Sequence, residues 1–195
     1  MVEDQQSGCI DIPKIFYSDA TGGYLDRCLG CDRPLFNQET DYLIEKAFKS
    51  YQGLKSYSTI FEYAMCLTCV NRMHSTLSEE SRANINAYFQ KHANITDKRL
   101  SMDPPEADIR RWLDRCILTS QKAEEIPEFQ IYGHCKGKNL IIDGYPFMIS
   151  GKATDMLVEL ISDKTLDELQ NFTDKLVGGP SEFADILKLG PRLIF

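Results

Sequence analysis

Residues 41–48 and 59–65 are dense in aromatic and β-branched side chains, and between them lies Lys49-Ser-Tyr-Gln-Gly-Leu-Lys-Ser, a loop with a glycine. That pattern predicts a long hairpin. Beyond it the apolar period changes: Val70, Met73 and Leu77 fall at helical spacing. After Ser78, a capping residue, Ile85, Tyr88, Phe89 and His92 share one helical face, so two helices follow the hairpin. Asp103-Pro-Pro-Glu-Ala-Asp combines a cap, an early proline and an acidic first turn. It opens a helix with Ile109, Trp112, Leu113 and Cys116 as its buried stripe, placed to bridge two halves of the chain. Short strands near Phe129–Tyr132 and Asn139–Asp143 flank Gly-His-Cys-Lys-Gly-Lys, and Ser150-Gly leads into Ala153, Met156, Leu157, Leu160 and Ile161 at helical spacing. Thr165 with Glu168 reads as a capping box for a last long helix carrying Leu166, Leu169, Phe172 and Leu176, which Gly178-Gly-Pro stops. A brief helical piece over 181–189 and an apolar tail complete the chain, while polar, aperiodic residues 1–8 form a loose tail.

The fold class predicted is therefore α+β. At 195 residues, with 43% apolar and 26% charged positions, the chain suits one sizeable domain or two small lobes, and its composition excludes disorder, collagen-like repetition and a heptad rod. Its longest apolar runs span only a few residues, against the roughly 20 that a bilayer crossing needs. The first residues show neither a basic start nor an apolar stretch, so the expected location is cytoplasmic. Net charge is −7, and the acidic excess is spread: residues 1–103 hold 11 basic against 14 acidic side chains, residues 104–195 hold 11 against 15. Phosphate neutralisation by Lys and Arg supplies most nucleic-acid affinity, which makes nucleic acid the weakest of the partner classes and leaves protein as the expected one.

Seven cysteines in such a chain read as metal ligands or thiols, and their spacing selects among these. Cys28-Leu-Gly-Cys31 and Cys66-Leu-Thr-Cys69 form two pairs separated by 34 residues, while Cys9, Cys116 and Cys135 stand alone and are not expected to be ligands. Two Cys-x-x-Cys turns close a tetrahedral sphere around one zinc ion with Zn–S near ~2.3 Å, leaving no position for water. One structural zinc per chain follows as the expectation, worth roughly 10 to 16 kcal/mol of apparent binding free energy. Gly30 is expected to permit the tight first turn. A knuckle, a hairpin and then a pair of cysteines at a helix start resemble the treble-clef zinc finger over about residues 28–77. That resemblance implies an architecture and no particular activity, since treble clefs serve ribosomal proteins, nucleases, ubiquitin-related modules and interaction domains. The nuclease branch needs a histidine near the hairpin, and none lies between Cys31 and Cys66. The competing readings are buried or redox thiols, and His74 in place of one sulfur.

A weaker repeat runs through the chain. Cys116 aligned with Cys28 brings Thr119 to Cys31, Phe129-Gln-Ile to Tyr42-Leu-Ile, Leu140–Ile142 to Ile60–Glu62, and the Ser150-Gly helix start near Cys66–Cys69. Either the second half is a metal-free copy of the first, or both are alike only in coarse pattern. The expected organisation is a tail over 1–8, a zinc-binding treble-clef-like lobe over 9–102, and a bridging helix with a metal-free lobe over 103–195. Ser150-Gly-Lys-Ala-Thr lacks the glycine and the hydroxyl of a phosphate loop. His134-Cys135 with Asp143 suggests a nucleophile and base, but neighbours on a strand face opposite ways. No motif marks a catalytic centre. The leading expectation is an interaction or regulatory module built on zinc. Its rivals are an enzyme with a cleft between the lobes and, weaker, a nucleic-acid binder.

Overall fold

The structure, a computed structural model, describes residues 8–51, 56–93, 109–142 and 144–167. The strands are β1 (Gly8–Asp11), β2 (Asp41–Tyr51), β3 (Ser56–Cys66), β4 (Glu128–Lys136), β5 (Asn139–Ile142) and β6 (Phe147–Ser150). The helices are α1 (Leu67–His74), α2 (Glu79–His92), α3 (Ile109–Trp112) and α4 (Gly151–Val158), with a further helix beginning at residue 163. The strands form one antiparallel sheet in the order β1-β5-β4-β2-β3, with β6 also paired to β4. The fold is mixed α+β.

The predicted hairpin is present and longer than expected, β2 running to Tyr51 and β3 resuming at Ser56. Tyr42 through Phe48 are all buried, because β2 lies inside the sheet and is covered on both faces. β2 pairs with β4 at nine positions, from Asp41 against Lys136 to Lys49 against Glu128. That pairing changes the expected organisation. Sheet hydrogen bonds cross between the two halves, and one hydrophobic cluster includes Phe16, Leu43 and Val70 from the first half and Met148, Ile149 and Leu157 from the second. Among the described residues the two halves are joined by one sheet and one hydrophobic cluster, where the expectation was two packed lobes.

Other differences have local causes. Gly8 and Cys9, placed by sequence at or beside the loose tail, lie in β1 opposite Ile142 and Ile141; residues 1–7 lie outside the described ones. The stripe from Ile109 to Cys116 breaks after Trp112, and Cys116 belongs to a tight turn, with its N–H donating to the Gln121 carbonyl at 2.9 Å. Trp112 itself is buried as expected. Gly-His-Cys-Lys is not a loop between strands, since Gly133–Lys136 continue β4 along β2. Ser162, not Thr165, caps the helix at 163, accepting from the Thr165 N–H at 3.4 Å. Most of the predicted last helix, the helical piece at 181–189 and the tail lie outside the described residues.

Candidate metal centre

The first turn is built by backbone hydrogen bonds. Arg27 bridges to Pro34, the Cys28 N–H donates to the Arg33 carbonyl at 3.0 Å, and the Asp32 N–H donates to the Cys28 carbonyl at 2.8 Å. The left-handed residue is Asp32, with φ 56°, and Gly30 is not in that region. Aspartate tolerates this conformation better than most residues. Its carboxylate is held by Arg27 at 2.6 Å and its pKa is lowered by that partner. The Leu29 N–H donates to the Ala64 carbonyl at 2.8 Å, which ties the turn to the end of β3. There Cys66 closes β3 and precedes α1, so Cys69 lies in the first turn of that helix.

These elements bring Cys28, Cys31, Cys66 and Cys69 together, all four sulfurs lying within 4.8 Å of one another. Cys31 Sγ and Cys66 Sγ are 3.8 Å apart. Four sulfurs at the corners of a tetrahedron of radius ~2.3 Å stand about 3.8 Å from each other, so the spacing suits a thiolate-bound zinc ion. Cys28, Cys66 and Cys69 are buried and Cys31 is exposed. His74 is not in the cluster. No disulfide joins any of the seven cysteines.

The electrostatics favour a cation among the sulfurs. Burial raises the Cys28 pKa, and burial followed by the Cys31 and Cys66 thiols raises that of Cys69. Burial also opposes ionisation of Cys31, but the Arg33 N–H, the Cys28 thiol and the Arg33 guanidinium bring it down to about 6. Desolvated thiols this close resist ionising together unless a bound ion offsets their charge. Two further residues, unmarked by the sequence reading, support the sulfurs: Arg33 Nε lies 3.2 Å from Cys31 Sγ and Arg72 Nη2 lies 3.8 Å from Cys69 Sγ. Their signal was an arginine two positions after one clustered cysteine and three after another on a helix. The Cys66 N–H donates to Cys28 Sγ at 3.3 Å.

The remaining candidates do not join this site. Cys9 is exposed on β1, while Cys116 and Cys135 are buried. Burial pushes the Cys135 thiol up to about 12, which removes it as a nucleophile near neutral pH. His134 is held below its ordinary pKa, first by burial. Ser150 caps α4, its Oγ accepting from the Ala153 N–H at 3.2 Å. Among the described residues, the four-cysteine group is the metal-capable cluster, and no helix is long and apolar enough to cross a membrane. No family model, curated protein or solved structure matches this chain.

Proposed function

We propose that this protein is an interaction module held by one structural zinc ion of the treble-clef type. The observation that carries the zinc is the convergence of four cysteine sulfurs within 4.8 Å, three of them buried. A sphere filled by four thiolates has no position for substrate or water, so the ion stabilises structure and does not act as a Lewis acid. The order of knuckle, hairpin and helix, with one ligand pair on each side of the hairpin, supports the treble-clef reading. Seven unpaired thiols favour a reducing compartment such as the cytoplasm.

Support for interaction comes from the tip of the hairpin. Tyr51 and Tyr57 are 44% and 54% exposed, and beside them opens a groove of about 790 Å³ lined by Pro13, Ile15, Leu113 and Phe129 among others. An apolar groove rimmed by exposed aromatic rings suits a protein partner better than chemistry on a polar substrate.

Elemental analysis of the purified protein is expected to find one zinc per chain, removed by Cys66→Ser. Metal-free protein that is fully folded would refute the structural zinc. For the interaction role, Tyr51→Ser/Tyr57→Ser should release a partner that the unaltered protein retains from an extract of its source cells, with zinc content unchanged. Identical binding by both proteins would refute the groove as the contact.

A further inference from the structure

The turn that carries Cys28 has a counterpart at Cys116. Arg115 bridges to Lys122 as Arg27 does to Pro34, and the left-handed residue is Ser120, φ 58°, where the first turn has Asp32. The Cys116 N–H donates to the Gln121 carbonyl at 2.9 Å and the Ser120 N–H to the Cys116 carbonyl at 2.8 Å, matching the Cys28 and Asp32 bonds. The Ile117 N–H reaches the Met148 carbonyl at 2.8 Å, as Leu29 reaches Ala64. The Ser150 N–H lies 3.3 Å from Cys116 Sγ, the distance at which the Cys66 N–H meets Cys28 Sγ.

The correspondence extends beyond the turn. Phe129 pairs with Ser150 as Tyr42 pairs with Cys66, and each second strand leads into an eight-residue helix, α4 or α1. β6, not Leu140–Ile142, therefore takes the place of the end of β3. After each helix comes a serine cap, and the two caps bond reciprocally: the Ser78 N–H to Thr165 Oγ1 at 3.0 Å, the Ser162 N–H to Ser81 Oγ at 3.1 Å. These matches place residue 116 at the position of 28, 119 at 31, 150 at 66 and 153 at 69.

We infer that Cys116, Thr119, Ser150 and Ala153 occupy a second metal-ligand frame, in which hydroxyls and a methyl group stand where three thiolates would close the sphere. The inference rests on the reading that the four-cysteine cluster holds a metal. Cys116 is 1% exposed, and Ser150 Oγ lies 3.5 Å from its sulfur. Burial opposes ionisation of Cys116, but the Ser150 and Thr119 hydroxyls and N–H groups lower its pKa, so polar groups already converge on this sulfur. In the second turn the Ser150 N–H and hydroxyl meet the sulfur where a metal would close the first. The frame, being backbone, survives the change of ligand chemistry.

The test is metal stoichiometry with zinc, and with cobalt(II), whose thiolate absorption reports sulfur ligands. The unaltered protein should bind one equivalent, and Thr119→Cys/Ser150→Cys/Ala153→Cys should bind two. One equivalent in both, with the variant folded by circular dichroism, overturns this inference and leaves the first site standing. None in the unaltered protein overturns the first site instead. If the triple variant aggregates, Thr119→Cys/Ser150→Cys keeps Ala153 inside α4 and must take up the second equivalent through three thiolates. An experimental structure in which the Cα atoms of 116, 119, 150 and 153 fail to superpose on those of 28, 31, 66 and 69 overturns the inference whichever variant folds.

Discussion

Lys46 lies on the inner strand β2 with a side chain 1% exposed, a position that would be too costly for an isolated ammonium. It is held by Glu62 at 3.0 Å, by Asp19 at 3.2 Å and by the Tyr17 carbonyl, to which it donates at 2.5 Å. Removing one partner of a buried pair is expensive because it leaves charge uncompensated. Glu62→Gln is therefore expected to cost about 2–4 kcal/mol in urea denaturation near neutral pH, below the full loss because Asp19 remains. The pH dependence has a definite sign. The Thr59 hydroxyl, and then Lys46, lower the Asp19 pKa; burial opposes ionisation of Glu62, but Ser18, the Asp19 N–H and Lys46 lower it overall. Lowered carboxylate pKa values stabilise the fold above the unfolded value of about 4, and this contribution is lost as pH falls through the folded values. The stability gap between Glu62→Gln and the unaltered protein should narrow on acidification below about pH 4. An unchanged gap would show that Glu62 acts by packing alone.

Among the elements, the proposed zinc ties the knuckle to α1, and hydroxyls tie the paired caps. Chelation should remove amide exchange protection first at Leu29 and Cys66, whose N–H groups tie the knuckle to β3 and to Cys28 Sγ. Protection at Ile117 and Ser150 should persist longer, since no cation holds the second turn. Thiol titration of the metal-loaded protein should find Cys9 reactive, with Cys116 and Cys135 reacting only on unfolding. Three fast thiols would place those two at the surface. At the caps, Ser81 is fully buried and accepts from the Ser162 N–H. Ser81→Ala leaves that donor without its acceptor and should cost about 1–3 kcal/mol.

At the scale of the molecule, the β2–β4 pairing and the shared hydrophobic cluster couple the described parts of the two halves: neither can open without exposing apolar surface of the other. Urea unfolding followed by circular dichroism and by Trp112 fluorescence is expected to give one coincident transition. Two separated transitions would restore the two-lobe organisation that the sequence suggested. Trp112 is 2% exposed, and Trp112→Ala should lower stability by about 3–5 kcal/mol.

Local chemistry was legible in the sequence because it is written in local spacing. Two cysteine pairs, the aromatic and β-branched runs of β2 and β3, and the Ser78 cap each need only a few neighbouring residues to declare themselves. The aligned pairs Cys28 with Cys116 and Phe129 with Tyr42 were visible in the same way. The β5–β6 break was not, and it shifted the alignment of the later strand, because Gly144 at φ 80° and Pro146 interrupt what β3 runs as one strand. Nor could spacing show that Gly133–Lys136 continue a strand, since the partner that satisfies their backbone groups is β2, some 90 residues away in the chain. Burial of Lys46 depends on Asp19 and Glu62 arriving from separate segments. The sequence determined the two cysteine pairs and the element types, which short-range spacing and periodicity encode. Only the tertiary structure decided that both halves share one sheet, because backbone pairing between distant strands leaves no mark in the spacing of side chains.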